Sequence, residues 1–172
     1  MIVPRGAGRA EEGDRAPVAV AVVGVGHMGR LHARTYRDLP AARLSGVLDL
    51  DATRAAGVAE ETGSRVLRDL DDVASSARAA SVAVPTRAHL PVARALLERG
   101  VDVLVEKPLA ATLAEADRMV AAAERAGVAL MVAENVRFDP VLYRVGELIR
   151  EGVIGTPALA QIARECYLRA SF

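Results

Sequence analysis

The chain has no tryptophan, one cysteine (Cys166), three tyrosines and two phenylalanines, and its 22 lysines and arginines are balanced by 22 aspartates and glutamates. Each scarcity excludes something. One thiol cannot build an intramolecular disulfide framework, which suits a reducing cytoplasm, and with no activating motif around it Cys166 is read as a small hydrophobe. Balanced charge offers no basic field for nucleic acid. No apolar run approaches the roughly 20 residues that cross a bilayer, so no membrane span is expected. The segment 1–17 is rich in Gly, Arg and Glu, lacks the apolar stretch of a secretory signal and reads as a disordered leader. What remains is a cytoplasmic chain of 172 residues, 52% hydrophobic, enough for one domain with an appendage.

The most informative stretch runs from Val18 to Gly29. Residues 18–23 are β-branched or small and apolar, the composition of a strand buried on both faces of a parallel sheet. Three glycines follow as G-x-G-x-x-G, with His27 and Met28 inside the turn. The glycines differ in what they do mechanically. Gly24 permits the tight turn, Gly26 keeps a side chain away from a pyrophosphate, and Gly29 lets the next helix pack closely on the strand. That helix, expected over 30–39 with Leu31, Tyr36 and Leu39 toward the core, would present free N–H groups and a positive dipole end to the phosphates. A second strand over 43–48 leads to Asp49, twenty positions after Gly29, where an acid meets the adenosine ribose in a βαβ unit. Asp49 is assigned to the ribose and Asp51 to the cap of the next helix; the alternative makes either one merely a cap. An acid at the ribose favours NAD over NADP, and Arg54 is the residue that would reverse this by turning toward a phosphate.

Alternation continues to the end of this region. A helix over 52–62 with Gly63 as its C-cap, a short strand over 65–67, and a helix opening at Asp69-Leu70-Asp71-Asp72-Val73 come next; those acids suit a helix N-terminus better than a metal. Strands are expected over 80–84, 102–105 and 128–132, with helices over 90–99 and, from the capping box Thr112-x-x-Glu115, up to Ala126. Short connections between strands and helices specify an α/β doubly wound parallel sheet, whose ligands bind at the carboxyl ends of the strands. Polar residues gather there: Asp49, Pro85-Thr86-Arg87-Ala88-His89, Glu106-Lys107-Pro108 and Glu134-Asn135-Val136-Arg137-Phe138. His89 alone is open to a second reading as a satisfied helix-start histidine, and His32 reads as structural.

In this order and spacing, Gly24-x-Gly26-x-x-Gly29, Glu106-Lys107-Pro108 and Asn135-x-Arg137-Phe138-x-Pro140, together with Pro85-Thr86-x-x-His89, resemble the glucose-fructose oxidoreductase, inositol dehydrogenase and MocA (Gfo/Idh/MocA) family over residues 18–163. The resemblance implies a Rossmann-like NAD(P)-binding domain over 18–138 and an oxidoreductase moving hydride between nicotinamide and a sugar, cyclitol or related small molecule. It implies Lys107 as the catalytic residue beside nicotinamide and substrate. It further implies cofactor contacts from Gly24, Gly26, His27, Met28, Gly29, Asp49, Glu106 and Lys107. Pro85, Thr86 and His89 would border the nicotinamide half, with Asn135 and Arg137 at its outer edge. The family pattern also suggests a cis Lys107-Pro108 bond.

Departures from the family open a second reading. Relatives of this family run to about twice this length, an ordinary size for two domains. Here residues 139–172 read as a linking helix and the first strand, over 159–167, of an incomplete α+β substrate domain; no D-x-x-x-H segment follows. The alternative is therefore a truncated or degenerate dinucleotide-binding module without turnover of its own. The strand over 159–167 would leave an open edge able to recruit a second copy or a complementing chain.

Overall fold

Residues 2–3, 16–159 and 161 are described by the structure, a computed structural model. One six-stranded sheet organises them: β1 (Ile2–Val3), β2 (Val18–Val23), β3 (Ala42–Leu48), β4 (Ala79–Val82), β5 (Asp102–Val105) and β6 (Leu130–Val132), in the order β1-β6-β5-β4-β2-β3. All neighbouring pairs from β3 to β6 are parallel. The chain runs outward from β2 to β3, then returns to β4 on the other side of β2, so the order reverses between β2 and β4. At such a reversal the loops diverge and leave a crevice at the carboxyl ends. This is the doubly wound α/β sheet that the sequence specifies.

Helices cover both faces: α1 (His27–Asp38), α2 (Ala52–Thr62), α3 (Leu70–Ser76), α4 (His89–Glu98) and α5 (Leu113–Ala126). Alternate residues of β2 serve different cores. Ala21 and Val23 pack with Val73 of α3, Leu96 and Leu97 of α4 and Met119 of α5, whereas Val22 packs with Ala33 of α1 and Val58 of α2. A strand clothed on both sides has no solvent face, which is why 18–23 shows no polar alternation. Leu97 is fully buried; its truncation to alanine costs about 2–5 kcal/mol through lost transfer energy and the cavity left behind.

Helix ends follow local chemistry. Asp51 accepts from Arg54 N–H and Asp69 from Asp72 N–H, while Thr112 and Glu115 form a reciprocal capping box. Capping side chains satisfy N–H groups that the first turn leaves without carbonyl partners.

Several expectations change. Helix α1 begins at His27 rather than at 30; its buried residues are Gly29 and Ala33, and Leu31 and Leu39 are exposed. Gly29 brings the first turn of α1 close against the glycine turn, while Tyr36, farther along the helix, packs partly buried on the core as expected, its hydroxyl 2.7 Å from Ser81 Oγ of β4. The strand expected over 65–67 is reduced to one bridge, Val47 to Val66, because Asp69 starts α3 so soon afterwards. Within that bridge Val47 N–H donates to Arg65 O (2.9 Å) and Leu67 N–H to Val47 O (2.7 Å). Gly46 makes room for it, since a Cβ there would lie 2.6 Å from Arg65 O. Opposite β2 the register steps from Val20–Leu44 to Ala21–Gly46, leaving Ser45 as a bulge. The leader expected over 1–17 is not wholly irregular: Ile2 and Val3 pair antiparallel with Met131 and Leu130, supplying partners to the edge of β6.

The chain divides into two compact units, Met1–Glu134 and Asn135–Phe172. Described parts of the second are the 3₁₀ turn Asn135–Phe138 and helix α6 (Pro140–Arg150), whose N-terminus is capped by Asp139 accepting from Val141 and Leu142 N–H. Cys166 and most of the strand expected over 159–167 lie outside the described residues. No helix among the described residues is long and apolar enough to cross a membrane.

Candidate functional site: a dinucleotide crevice

The three glycines of the turn after β2 face different surroundings. Gly24 has φ 82°, a left-handed conformation, and its N–H donates to Leu48 O at 2.8 Å. A Cβ on Gly24 would come within 2.8 Å of Ala83 C and Val84 N, so the turn is pressed against the loop leaving β4. A Cβ on Gly29 would fall 1.8 Å from Gly24 O. Protein atoms thus forbid side chains at both. At Gly26 nothing lies within 4 Å of a Cβ. Gly26 is also the N-cap of α1 with no side-chain cap bond, and His27 and Met28 are exposed in the first turn. The result is an open cradle above helix N–H groups, the arrangement that receives anions.

Asp49 follows β3 and joins this turn directly. Its Oδ2 accepts from Val25 N–H at 2.7 Å and its Oδ1 from Asp51 N–H at 2.9 Å. Asp51, not Asp49, caps α2. Arg54 completes the cluster: Nη1 donates to Asp49 Oδ1 (3.2 Å) and Oδ2 (3.3 Å), and Nη2 to Asp51 Oδ2 (3.0 Å). Farther along α1, the Arg34 guanidinium, with Arg30 beside it, holds the Glu61 carboxyl of α2 below the usual carboxylate range.

The loops after β4 and β5 form the other wall. Pro85 is exposed and Thr86 half-buried at the start of a 3₁₀ turn leading into α4. His89 is only 1% exposed, with Nε2 at 2.9 Å from Val84 O and Nδ1 at 3.0 and 3.2 Å from Pro108 O and Leu109 O. The expected direct contact of His89 with a cofactor does not fit this burial. Its geometry is that of the satisfied helix-start histidine, bracing the β4 loop against the β5 loop. Glu106 is likewise buried, its Oε1 accepting from His32 Nε2 (3.0 Å) and its Oε2 from Lys107 N–H (3.0 Å). Lys107 is exposed, and its bond to Pro108 is cis. Glu106 therefore fixes the backbone of Lys107 instead of neutralising its ammonium.

Gly24, Gly26, His27, Met28, Gly29, Asp49, Pro85, Thr86, Glu106 and Lys107 thus stand at the carboxyl ends of β2, β3, β4 and β5. Asn135 and Arg137 fall in the second unit, in its exposed 3₁₀ turn. Sequence reasoning missed the tie between His32 and Glu106. A signal existed: His32 follows the buried Gly29 by one helical turn and so shares the face turned to the sheet.

Comparison with known proteins agrees with this geometry. Residues 18–134 match the model of an oxidoreductase family with an NAD-binding Rossmann fold. The chain is 36% identical over 146 residues to D-apiose dehydrogenase of Paraburkholderia graminis (83% of this chain, 39% of that one) and 39% identical over 151 residues to inositol 2-dehydrogenase of Rubrobacter xylanophilus (86% and 44%). Among solved structures, GenD2 from gentamicin A biosynthesis in complex with NAD superposes with a TM-score of 0.75 at 35% identity, covering 88% of this chain and 42% of that one. The chain spans about two fifths of the length of these relatives. It belongs, through its NAD-binding Rossmann unit, to the Gfo/Idh/MocA family of oxidoreductases.

Proposed function

We propose that this chain holds NAD(H) along the carboxyl ends of β2 to β5 and serves hydride exchange with a hydroxyl or carbonyl carbon of a sugar or cyclitol. Gly26 carries the reading. Its neighbours in the motif are barred from side chains by the protein itself, whereas Gly26 borders open space at the start of α1. A pyrophosphate fits that space, accepting from N–H groups of the first turn near His27 and Met28. Asp49 is assigned to the adenosine ribose, where a carboxylate accepts from hydroxyls and repels a 2′-phosphate. The nicotinamide, when bound, supplies the carbon that accepts or returns hydride.

Lys107 is the residue assigned to the reacting oxygen. Its backbone is fixed by Glu106 while its side chain is exposed. From there an ammonium can stabilise charge developing on a substrate alkoxide. Pro85 and Thr86 border the nicotinamide half in this assignment, and His89 acts through the loops it braces. The sugar or cyclitol class follows from the relatives named D-apiose dehydrogenase and inositol 2-dehydrogenase.

A second reading, a dinucleotide-binding module without turnover of its own, is favoured by the placement of the histidines: His32 and His89 are engaged within the protein and His27 stands at the phosphate cradle, which leaves Lys107 as the polar group assigned to the reacting oxygen. Calorimetric titration of NADH into the wild type and Gly26→Val tests what both readings share. Binding to the wild type and its loss in a folded Gly26→Val variant are expected; equal affinity in the two would remove the glycine cradle from the assignment. Reduction of NAD in the presence of inositols or pentoses then separates the enzyme from the module.

A further inference from the structure

Lys107 is the chain's only lysine, and its main chain is the first to leave the sheet after β5. Glu106 N–H still bonds the sheet, donating to Val82 O of β4 at 2.9 Å, whereas Lys107 N–H donates to a side chain, Glu106 Oε2, at 3.0 Å. The other oxygen of that carboxylate accepts from His32 Nε2 of α1, also at 3.0 Å, with the two side chains 10% and 15% exposed. A carboxylate only accepts, so Nε2 carries the proton. The backbone of Lys107 is therefore held from the helix whose N-terminus forms the cradle. One helical turn after His32, a second polar tie joins α1 to the sheet: the Tyr36 hydroxyl lies 2.7 Å from Ser81 Oγ. The two ties differ in what stands behind them. Ser81 is fully buried inside β4, while Glu106 holds the amide of Lys107.

We propose that His32 is a positioning residue for Lys107, acting through Glu106, so that the helix receiving the dinucleotide phosphates also sets where the ammonium stands. The inference rests on the proposed assignment of Lys107 to the reacting oxygen. Without the His32 N–H, the Glu106 carboxylate is free to turn and the Lys107 amide loses its fixed acceptor. The ammonium, at the end of a flexible four-carbon stem, then spreads over a wider volume. A misplacement of about 1 Å costs up to roughly 10²-fold in rate, while the cofactor's own contacts stay in place. Tyr36 steadies α1 without this consequence, since no residue of the crevice hangs from Ser81.

Reductive methylation of the whole chain with ¹³C-formaldehyde tests this, because a single lysine gives a single dimethyl-lysine NMR signal beside that of the N-terminal amine, with its charge retained. NADH is expected to move that signal in the wild type and in Tyr36→Phe alike. In His32→Leu the movement should be largely lost, although NADH affinity by calorimetry stays within about threefold. His32→Gln, whose side-chain amide keeps a donor, should restore it. Glu106→Gln, which cannot accept from both N–H groups, should behave like His32→Leu and replaces it if that variant does not fold. In unmethylated protein, sugar-dependent reduction of NAD by His32→Leu should lose about 10- to 100-fold in kcat with KM for NAD unchanged, and Tyr36→Phe should keep its kcat while melting lower. A signal that moves fully in His32→Leu or Glu106→Gln, or an equal loss in Tyr36→Phe, overturns the inference and leaves Lys107 beside the nicotinamide. A wild-type signal that bound NADH does not move, or no binding of NADH at all, overturns the placement of Lys107 and the inference with it.

Discussion

His32 Nε2 donates to Glu106 Oε1 across 3.0 Å, joining the middle of α1 to the residue that precedes Lys107. The two lie 74 positions apart in the chain. Glu106 simultaneously accepts from Lys107 N–H, so one carboxylate sets the β5 loop against the helix that begins at the glycine turn.

Breaking this contact should loosen both halves of the crevice. His32→Ala and Glu106→Gln are each expected to cost about 1–3 kcal/mol, because either change leaves a partly buried polar group without its partner. Denaturant unfolding of both single variants and the double variant checks it. A coupling energy near zero would show that the contact contributes nothing of its own.

Lys107 should behave oppositely to its neighbour. Its side chain is exposed, so Lys107→Met is expected to melt like the wild type and to bind NADH within about twofold. In any sugar-dependent reduction of NAD the same variant should lose about 10²- to 10⁴-fold in rate, the usual cost of a missing acid/base. Full retention of that rate would transfer the role to another group.

Ser45 offers a stabilising change. Its Oγ is buried at the β3 bulge and finds no hydrogen-bond partner among the described residues. Ser45→Ala removes that desolvated hydroxyl and should be neutral or stabilising by up to about 1 kcal/mol. A clear loss in urea would mean that the hydroxyl has a partner.

Acid should act through Asp72. Arg68 N–H donates to its Oδ2, and with the Arg65 guanidinium holds the carboxyl below the ordinary aspartate value of 3.8. A lowered folded-state value means that this contribution is complete above about 3.8 and disappears as pH falls through the lower folded value. The melting temperature of Asp72→Asn should therefore lie furthest below that of the wild type near neutral pH, with the gap closing in strong acid. A gap that stays constant across thermal melts from neutral to acid pH would remove Asp72 from this role.

Legibility in the sequence tracked the range of the interaction. The capping box at Thr112 and Glu115 and the cap at Asp51 depend on neighbours a few residues away, and their spacing alone announced them. The ends of α1 did not follow as easily, because Gly29 counts as helix interior only once its contact with Gly24 O is known. Ile2–Val3, the Ser45 bulge and the tie between His32 and Glu106 all require partners brought from distant parts of the chain. A hydrophobic pattern says which face is buried; it does not say which polar atom waits on the other side.

The imidazole of His89 has one further consequence for the crevice. Backbone carbonyls stand at both of its polar edges, Val84 O on one and Pro108 O and Leu109 O on the other. A five-membered ring cannot stretch, so its width works as a spacer gauge between the wall that begins at Pro85 and the wall that carries Lys107. An apolar side chain of equal volume would fill the hole yet leave the carbonyl facing the ring N–H without its donor. The spacing of the two walls is thus a molecular dimension, written into the chain by a single heterocycle that need not touch a ligand to decide how wide a ligand can be.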